Sequence, residues 1–136
     1  MWRFIKDYPF SIIFVLVVSY LSLSNPPALK IPLFPGWDKV VHVCMYGGMS
    51  GVIWIEFLFR HQRKKKNIKH IIGGAVIFPV LFGAAIELCQ HYFTRYRSGE
   101  WMDFLANVGG VITATLIALF VLRPRIMNSP TFKKND

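Results

Sequence analysis

IIGGAVIFPVLFGAAIELCQH, residues 71–91, decides what kind of fold this chain can adopt. The stretch is almost entirely apolar and holds one carboxylate, Glu87, near its end. The hydrocarbon core of a bilayer is about 30 Å thick and is crossed by about 20 apolar residues in a helix. The stretch therefore predicts a transmembrane helix.

Further apolar runs of the same kind lie at residues 8–23, 39–59 and 103–122. The 136-residue chain is 54% hydrophobic, which is too apolar for an ordinary soluble domain. We therefore predict an all-α fold, an integral membrane four-helix bundle that forms a single membrane domain over residues 1–136. The first run could be confused with a signal peptide, but residues 23–26, LSNP, lack a small-x-small cleavage pattern. An uncleaved anchor is the interpretation favoured for it.

Basic residues are distributed unevenly between the connections. Of the 16 Lys and Arg residues, twelve fall in the N-terminal flank, the connection after the second run and the tail, and four in the other two connections. This positive-inside asymmetry predicts cytoplasmic N and C termini in a multi-pass protein of the cell membrane. The net charge of +9 is accounted for by this asymmetry, so we expect no nucleic-acid partner. Glu56 and Arg60, spaced i, i+4, are expected to form a modest surface pair.

Small residues and one proline indicate how the helices pack. Gly47 and Gly51 form a GxxxG spacing in the second run, and Gly110 and Ala114 form a small-residue line in the fourth. Such faces allow close backbone approach between helices in lipid. Pro79 removes a backbone donor in the middle of the third run, so a kink is expected there.

Polar side chains collect at one end of three of the four runs. They are Asp38, Lys39, His42 and Tyr46 in the second run, Glu87, Gln90 and His91 in the third, and Glu100, Asp103 and Asn107 in the fourth. Spacings of three or four residues put the side chains of each group on one helix face. Threading the runs up and down through a bilayer predicts that all three groups meet on the outer side. Ionisable groups in lipid-spanning helices are costly, so such groups need partners or a function.

The order and spacing of these residues resemble the VanZ-like family of small membrane proteins. The matching pattern is Asp38-Lys39-x-x-His42-x-x-x-Tyr46, then Glu87-x-x-Gln90, then Arg97-Ser98, then Asp103-x-x-x-Asn107-x-x-Gly110. The resemblance extends from Asp38 to about Leu119 and leaves out the first run and the tail. The chain departs from the commonest family pattern by Cys44-Met45 before Tyr46 and by a longer approach, residues 98–102, to Asp103. The resemblance implies lowered sensitivity to the glycopeptide antibiotic teicoplanin, without a change in the peptidoglycan precursor terminus.

The first of three function classes, favoured by the resemblance, is a membrane protein that recognises or shields an envelope lipid headgroup or a glycopeptide. The expected partners are membrane lipids, with lipid-linked envelope precursors or the glycopeptide as candidates. Lys39, Arg95 and Arg97 suit phosphate or pyrophosphate, and the carboxylates suit sugar or amide donors. The ligand-binding candidates are Asp38, Lys39, His42, Tyr46, Glu87, Gln90, Arg97, Ser98, Asp103 and Asn107.

The second class is a membrane enzyme that acts on lipid-linked phosphate substrates. His42 is a candidate general base, and His42, Glu87 and Asp103 are candidate ligands of a divalent cation if they converge. No catalytic residue and no cofactor are assigned from the sequence, and binding is favoured over turnover. The third class is a structural plug in which the polar groups only lock the helices together.

Overall fold

The computed structural model describes residues 6–24, 34–61, 68–93 and 100–127. The helices are α1 (Pro9–Leu23), α2 (Trp37–His61), α3 (Ile68–Ile72), α4 (Phe78–Phe93), α5 (Trp101–Ile117) and α6 (Arg123–Met127). A π-helical turn, Gly73–Ile77, joins α3 to α4, and another, Ala118–Leu122, joins α5 to α6. Each of these pairs therefore forms one long helical rod. No strand occurs within these ranges, and the predicted all-α fold is confirmed.

Three rods are long and apolar enough to cross a bilayer, namely Trp37–Arg60, Lys69–Phe93 and Trp101–Ile126. The first helix, α1, has 15 residues. At about 1.5 Å per residue it extends about 22 Å, which is less than the roughly 30 Å of a hydrocarbon core. The three long rods contain the corresponding predicted runs, and the architecture of a membrane bundle is confirmed. Full crossing by α1 and the cytoplasmic side of the termini stay predictions.

The outward faces of the rods are apolar. Leu16 of α1, Leu81 of α4 and Phe120 of the rod that contains α5 are 64%, 64% and 74% exposed. Soluble monomers rarely present apolar surface so widely, whereas lipid accepts it. Inside the bundle, Tyr46 and Trp54 of α2 are fully buried. The core therefore follows α2, with the other helices around it.

The helices α2 and α5 are in backbone contact. A Cβ built on Gly110 would lie 2.4 Å from Val43 O and 2.8 Å from Gly47 N. Contacts this short are possible only with glycine, which explains why small residues stand here. A Cβ on Gly51 would meet nothing within 4 Å. The expected close approach is present at Gly47 and Gly110, and the expectation for Gly51 is wrong.

The irregularity expected at Pro79 appears as a π-helical turn. Proline has no N–H to donate to the carbonyl four residues earlier, which here is that of Ala75. Ser50 Oγ of α2 donates a hydrogen bond to Ala75 O at 2.6 Å and satisfies that carbonyl from another helix. Pro124 follows the second π-helical turn at the same spacing. Both interruptions of regular α-helix therefore have the same cause.

Glu56 of α2 caps the beginning of α1. The backbone N–H groups of Phe10 and Ser11 donate to its carboxylate oxygens at 3.0 Å each, and the Ser11 hydroxyl donates as well. A buried carboxylate is favourable there because the start of a helix carries the positive end of the dipole. Arg60 pairs with Asp7 at 2.9 Å. The surface pair expected between Glu56 and Arg60 is therefore not formed in the described structure.

Candidate functional site

Polar side chains of three helices meet at the end of the bundle where α2 and α5 begin and α4 ends. We call this group the polar cluster, and its members are Asp38, Lys39, His42, Glu87, Glu100, Asp103 and Asn107. His42, Glu87, Asp103 and Asn107 are buried, whereas Glu100 is exposed. The structure thus puts His42 and Asn107, which are 65 positions apart in the chain, in direct contact.

Two helix beginnings point toward the cluster. The turn before α2 contains Gly36 at φ 84°, a conformation that glycine adopts without strain. Asp38 lies in the first turn of α2 and Asp103 in the first turn of α5. The positive ends of the two helix dipoles therefore stabilise these carboxylates. Glu100 precedes α5 in an extended conformation and makes no side-chain cap of its own, so its carboxylate reaches toward Lys39.

Lys39 is shared among three carboxylates. Its Nζ lies 2.9 Å from Asp38 Oδ2, 3.1 Å from Asp103 Oδ1 and 3.5 Å from Glu100 Oε2. An ammonium has three donors, and each has a carboxylate partner here. These pairs tie the start of α2 to the start of α5. The sequence suggested that Lys39 would be presented to a phosphate. In the structure its ammonium is instead engaged with carboxylates.

His42 lies between the two buried carboxylates. Its Nδ1 is 2.8 Å from Asn107 Oδ1, and Asn107 Nδ2 is 3.5 Å from Glu87 Oε1. With the amide oxygen facing the ring, Nδ1 carries a proton and donates. The other ring nitrogen, Nε2, faces Asp103 Oδ2 at 3.7 Å. Asn107 therefore orients the imidazole and contacts Glu87 at the same time.

Three of these side chains have the arrangement of potential metal ligands. His42, Glu87 and Asp103 each offer one ligand atom, and the three atoms lie within 4.8 Å of one another. Their exposed fractions are 1%, 8% and 6%. A second group, Asp38, Glu100 and Asp103, is more exposed and contains only carboxylates. The convergence that the metal interpretation requires is therefore present in the first group.

Tyr46 and Gln90 flank the cluster. The ring of Tyr46 is fully buried and lies parallel to that of His42, with the centroids 6.4 Å apart. Gln90 Nε2 donates to Ser22 O at 2.7 Å and so joins α4 to the end of α1. Tyr46 thus packs beside the cluster, and Gln90 fixes the end of α1 to α4.

Arg97 and Ser98 lie outside the described residues, as does Arg95. In sequence they fall between Phe93, the last residue of α4, and Glu100. Their suggested contacts with an anionic group stay predictions.

An apolar groove between α4 and α5 adjoins the cluster. Its volume is about 320 Å³, and it is lined by Ala84, Glu87, Leu88, His91, Glu100, Trp101 and Phe104. Glu87 and Glu100 belong to both the groove and the cluster. The sequence pattern does not predict this groove, although Ala84, Leu88 and His91 follow one another at spacings of four and three on one face of α4.

Comparison with protein-family models matches residues 2–123 to the VanZ/LLP1 family. The match covers nearly the whole chain and includes the first helix, which the sequence pattern had left out. No curated protein and no solved structure matches the chain.

Proposed function

This chain belongs to the VanZ/LLP1 family, and we propose that it binds a lipid-linked component of the cell envelope through the polar cluster and the apolar groove. The headgroup lies in the cluster and the beginning of the hydrocarbon chain lies in the groove. Binding shields the headgroup from a glycopeptide such as teicoplanin and lowers sensitivity to it. No chemical turnover is needed for this effect.

The observation that carries the proposal is the shared boundary of groove and cluster. Glu87 and Glu100 line the groove and belong to the cluster, while Leu88, Trp101 and Phe104 provide apolar surface next to them. An amphiphile needs this combination of an apolar and a polar subsite in direct contact. The groove volume of about 320 Å³ falls at the lower end of the roughly 300–1,000 Å³ of small-molecule sites.

The chemistry of the described cluster favours ligand groups that donate hydrogen bonds. The described cluster contains four carboxylates, those of Asp38, Glu87, Glu100 and Asp103, and one ammonium, that of Lys39, which contacts three of them. Hydroxyl, amide and ammonium groups of a sugar-peptide headgroup can donate to such oxygens. A phosphate would be repelled by them and needs a cation beside it. Arg97 is the candidate that the sequence offers.

The distribution of basic residues supports an outer-leaflet ligand. The bundle end opposite the cluster carries Arg60, Lys69 and Arg123, and most of the other basic residues lie close to these three positions or to the N terminus in sequence. The positive-inside rule then puts that end in the cytoplasm and the cluster at the outer surface. Envelope headgroups and glycopeptides are met at that surface.

The proposal is tested by measuring saturable retention of a labelled lipid-linked peptidoglycan precursor on the purified protein in nanodiscs. Leu88→Trp fills the groove, and Leu81→Trp is the matched control two turns earlier on the same face of α4. The two leucines are 58% and 64% exposed, so neither change disturbs the core. We expect at least tenfold weaker retention for Leu88→Trp and unchanged retention for the control. Equal affinity of both variants and the wild type would contradict the proposal.

Catalysis is the second candidate function, favoured by the position of His42 between Glu87 and Asp103. A histidine held by an amide and facing a carboxylate is suited to proton transfer. Incubation with a labelled lipid-linked phosphate substrate separates the two functions. A new product that disappears in His42→Gln supports the enzyme, and retention without conversion supports the binder. Failure of His42→Gln, Glu87→Gln and Asp103→Asn to fold at all would support a structural plug.

A further inference from the structure

We propose that the polar cluster binds one divalent transition-metal cation, of the kind represented by Zn²⁺, through His42, Glu87 and Asp103. This site deepens the proposed function, and only the role of the ion in headgroup binding rests on that function. The three ligands come from α2, α4 and α5, so the ion would join three of the helices. One imidazole nitrogen with two carboxylate oxygens is a ligand set that Zn²⁺ accepts.

The distances are close to those of a coordinated ion. Ligands at about 2.0–2.2 Å from a tetrahedral Zn²⁺ lie about 3.4 Å from one another. His42 Nε2 and Asp103 Oδ2 are 3.7 Å apart, Glu87 Oε1 lies 3.6 Å from His42 Nδ1, and one ligand atom of each of the three residues lies within 4.8 Å of the other two. A side-chain rotation that brings the Glu87 carboxylate toward Nε2 would complete the site. A fourth position remains for water or for an oxygen of the ligand.

The outer atoms of both carboxylates are held by other groups. Asp103 Oδ1 contacts Lys39 Nζ at 3.1 Å, and its second oxygen, Oδ2, faces His42. Glu87 Oε2 accepts a hydrogen bond from the backbone N–H of Glu100 at 3.3 Å, and its second oxygen, Oε1, faces His42. In metal sites the ligands are oriented by such outer contacts. This arrangement distinguishes the trio from a simple group of acidic residues.

The imidazole is oriented in the same way. Asn107 Oδ1 lies 2.8 Å from His42 Nδ1, which leaves Nε2 as the nitrogen on the side of Asp103. Metal-bound histidines donate their other N–H to a carbonyl, carboxylate or water in nearly all known sites. The alternative is a protonated His42 that bridges Glu87 and Asp103 directly, in which case no metal binds.

Charge favours the ion as well. The described part of the cluster contains four carboxylates and one ammonium, and Glu87 and Asp103 are both buried at the end of membrane-spanning rods. Buried charges without compensation are costly at such depths. A divalent cation offsets this excess. It also gives a headgroup phosphate a positive partner, which the carboxylates alone do not provide.

The test uses the full chain, purified in detergent, stripped with a chelator and titrated with Zn²⁺ by calorimetry in the absence of any precursor. We expect one Zn²⁺ per chain with a Kd at or below the micromolar range, and at least tenfold weaker binding in His42→Gln and Asp103→Asn. His70→Gln is the matched control because His70 is exposed in α3, away from the cluster. Zn²⁺ should raise the Tm of the wild type and of the control, but not that of His42→Gln.

Two further measurements keep the test decisive. If His42→Gln does not fold, Asn107→Ala keeps all three ligands and should weaken Zn²⁺ binding about 10–100-fold by loss of orientation. Absence of saturable Zn²⁺ binding, or equal binding in wild type, His42→Gln and Asp103→Asn, overturns the inference. Precursor retention is measured separately with and without chelator. Zn²⁺ binding without precursor retention would contradict the proposed function alone, and precursor retention without Zn²⁺ binding would contradict the metal site alone.

Discussion

Replacing Gly110 by alanine should separate α2 from α5 and disturb the polar cluster beside their contact. The added Cβ would lie 2.4 Å from Val43 O and 2.8 Å from Gly47 N, whereas ordinary van der Waals contact begins at 3.4 Å. The helices must therefore move apart by about 1 Å to accept the methyl group. The atoms that it meets belong to the backbone, so no side-chain rotation can relieve the overlap.

The cost follows from these distances. Overpacking of a tight contact costs about 1–3 kcal/mol. Asn107 stands three residues before Gly110 on the same face of α5, and its oxygen lies 2.8 Å from His42 Nδ1. A separation of about 1 Å takes that hydrogen bond beyond its working range and costs about 1 kcal/mol more. We therefore expect Gly110→Ala to lower the free energy of unfolding by about 2–4 kcal/mol.

Unfolding by SDS in mixed micelles, followed by tryptophan fluorescence, measures this loss. Gly109→Ala is the matched control because a Cβ there would meet nothing within 4 Å. Its free energy of unfolding should stay within about 0.5 kcal/mol of the wild type. Precursor retention should also fall in Gly110→Ala and not in the control. Equal stability of the two alanine variants would refute the backbone contact between α2 and α5.

Three further predictions concern other contacts. Glu56→Gln should lower the free energy of unfolding by about 1–3 kcal/mol because the α1 N–H groups lose a charged acceptor. Arg60→Gln should lower it by less than about 1 kcal/mol. Equal losses for the two variants in SDS titration would contradict the cap formed by Glu56. Ser50→Ala should lower the free energy of unfolding by about 1–3 kcal/mol in the same assay, because Ala75 O, which Pro79 cannot satisfy, loses its donor. An unchanged free energy of unfolding would mean that the Ser50–Ala75 hydrogen bond contributes nothing to stability. In a host scored for teicoplanin susceptibility, Asp103→Asn and His42→Gln should each abolish the protection given by the wild type at equal protein level. Unchanged protection in both variants would rule out a role of the polar cluster in teicoplanin susceptibility.

The helical architecture and the convergence of the polar groups were accessible from sequence. Apolar runs of membrane length define the rods, because lipid requires helices whose backbone groups are satisfied internally. Alternation of direction through the bilayer then puts the starts of α2 and α5 and the end of α4 at one end. The spacing of Asp38 and His42, and of Asp103 and Asn107, selects the faces that meet.

Contacts between distant parts of the chain were not accessible in the same way. Glu56 caps α1 across 45 residues, and its spacing from Arg60 suggested a different partner. Gly47 and Gly51 have the same local signature, yet only the contact with Gly110 on another helix distinguishes them. The groove between α4 and α5 depends on how far two rods diverge, which helical periodicity does not encode.

Photo-crosslinking tests the central claim most directly. A lipid-linked peptidoglycan precursor that carries a diazirine near the start of its hydrocarbon chain is incubated with the protein in nanodiscs and irradiated, and the labelled residues are mapped by mass spectrometry. We predict label on Leu88, Trp101 and Phe104, suppressed by excess unlabelled precursor and lost in Leu88→Trp. Label spread equally over Leu16 of α1 and Leu81 of α4, or label that unlabelled precursor does not suppress, would contradict a headgroup site with an adjoining groove.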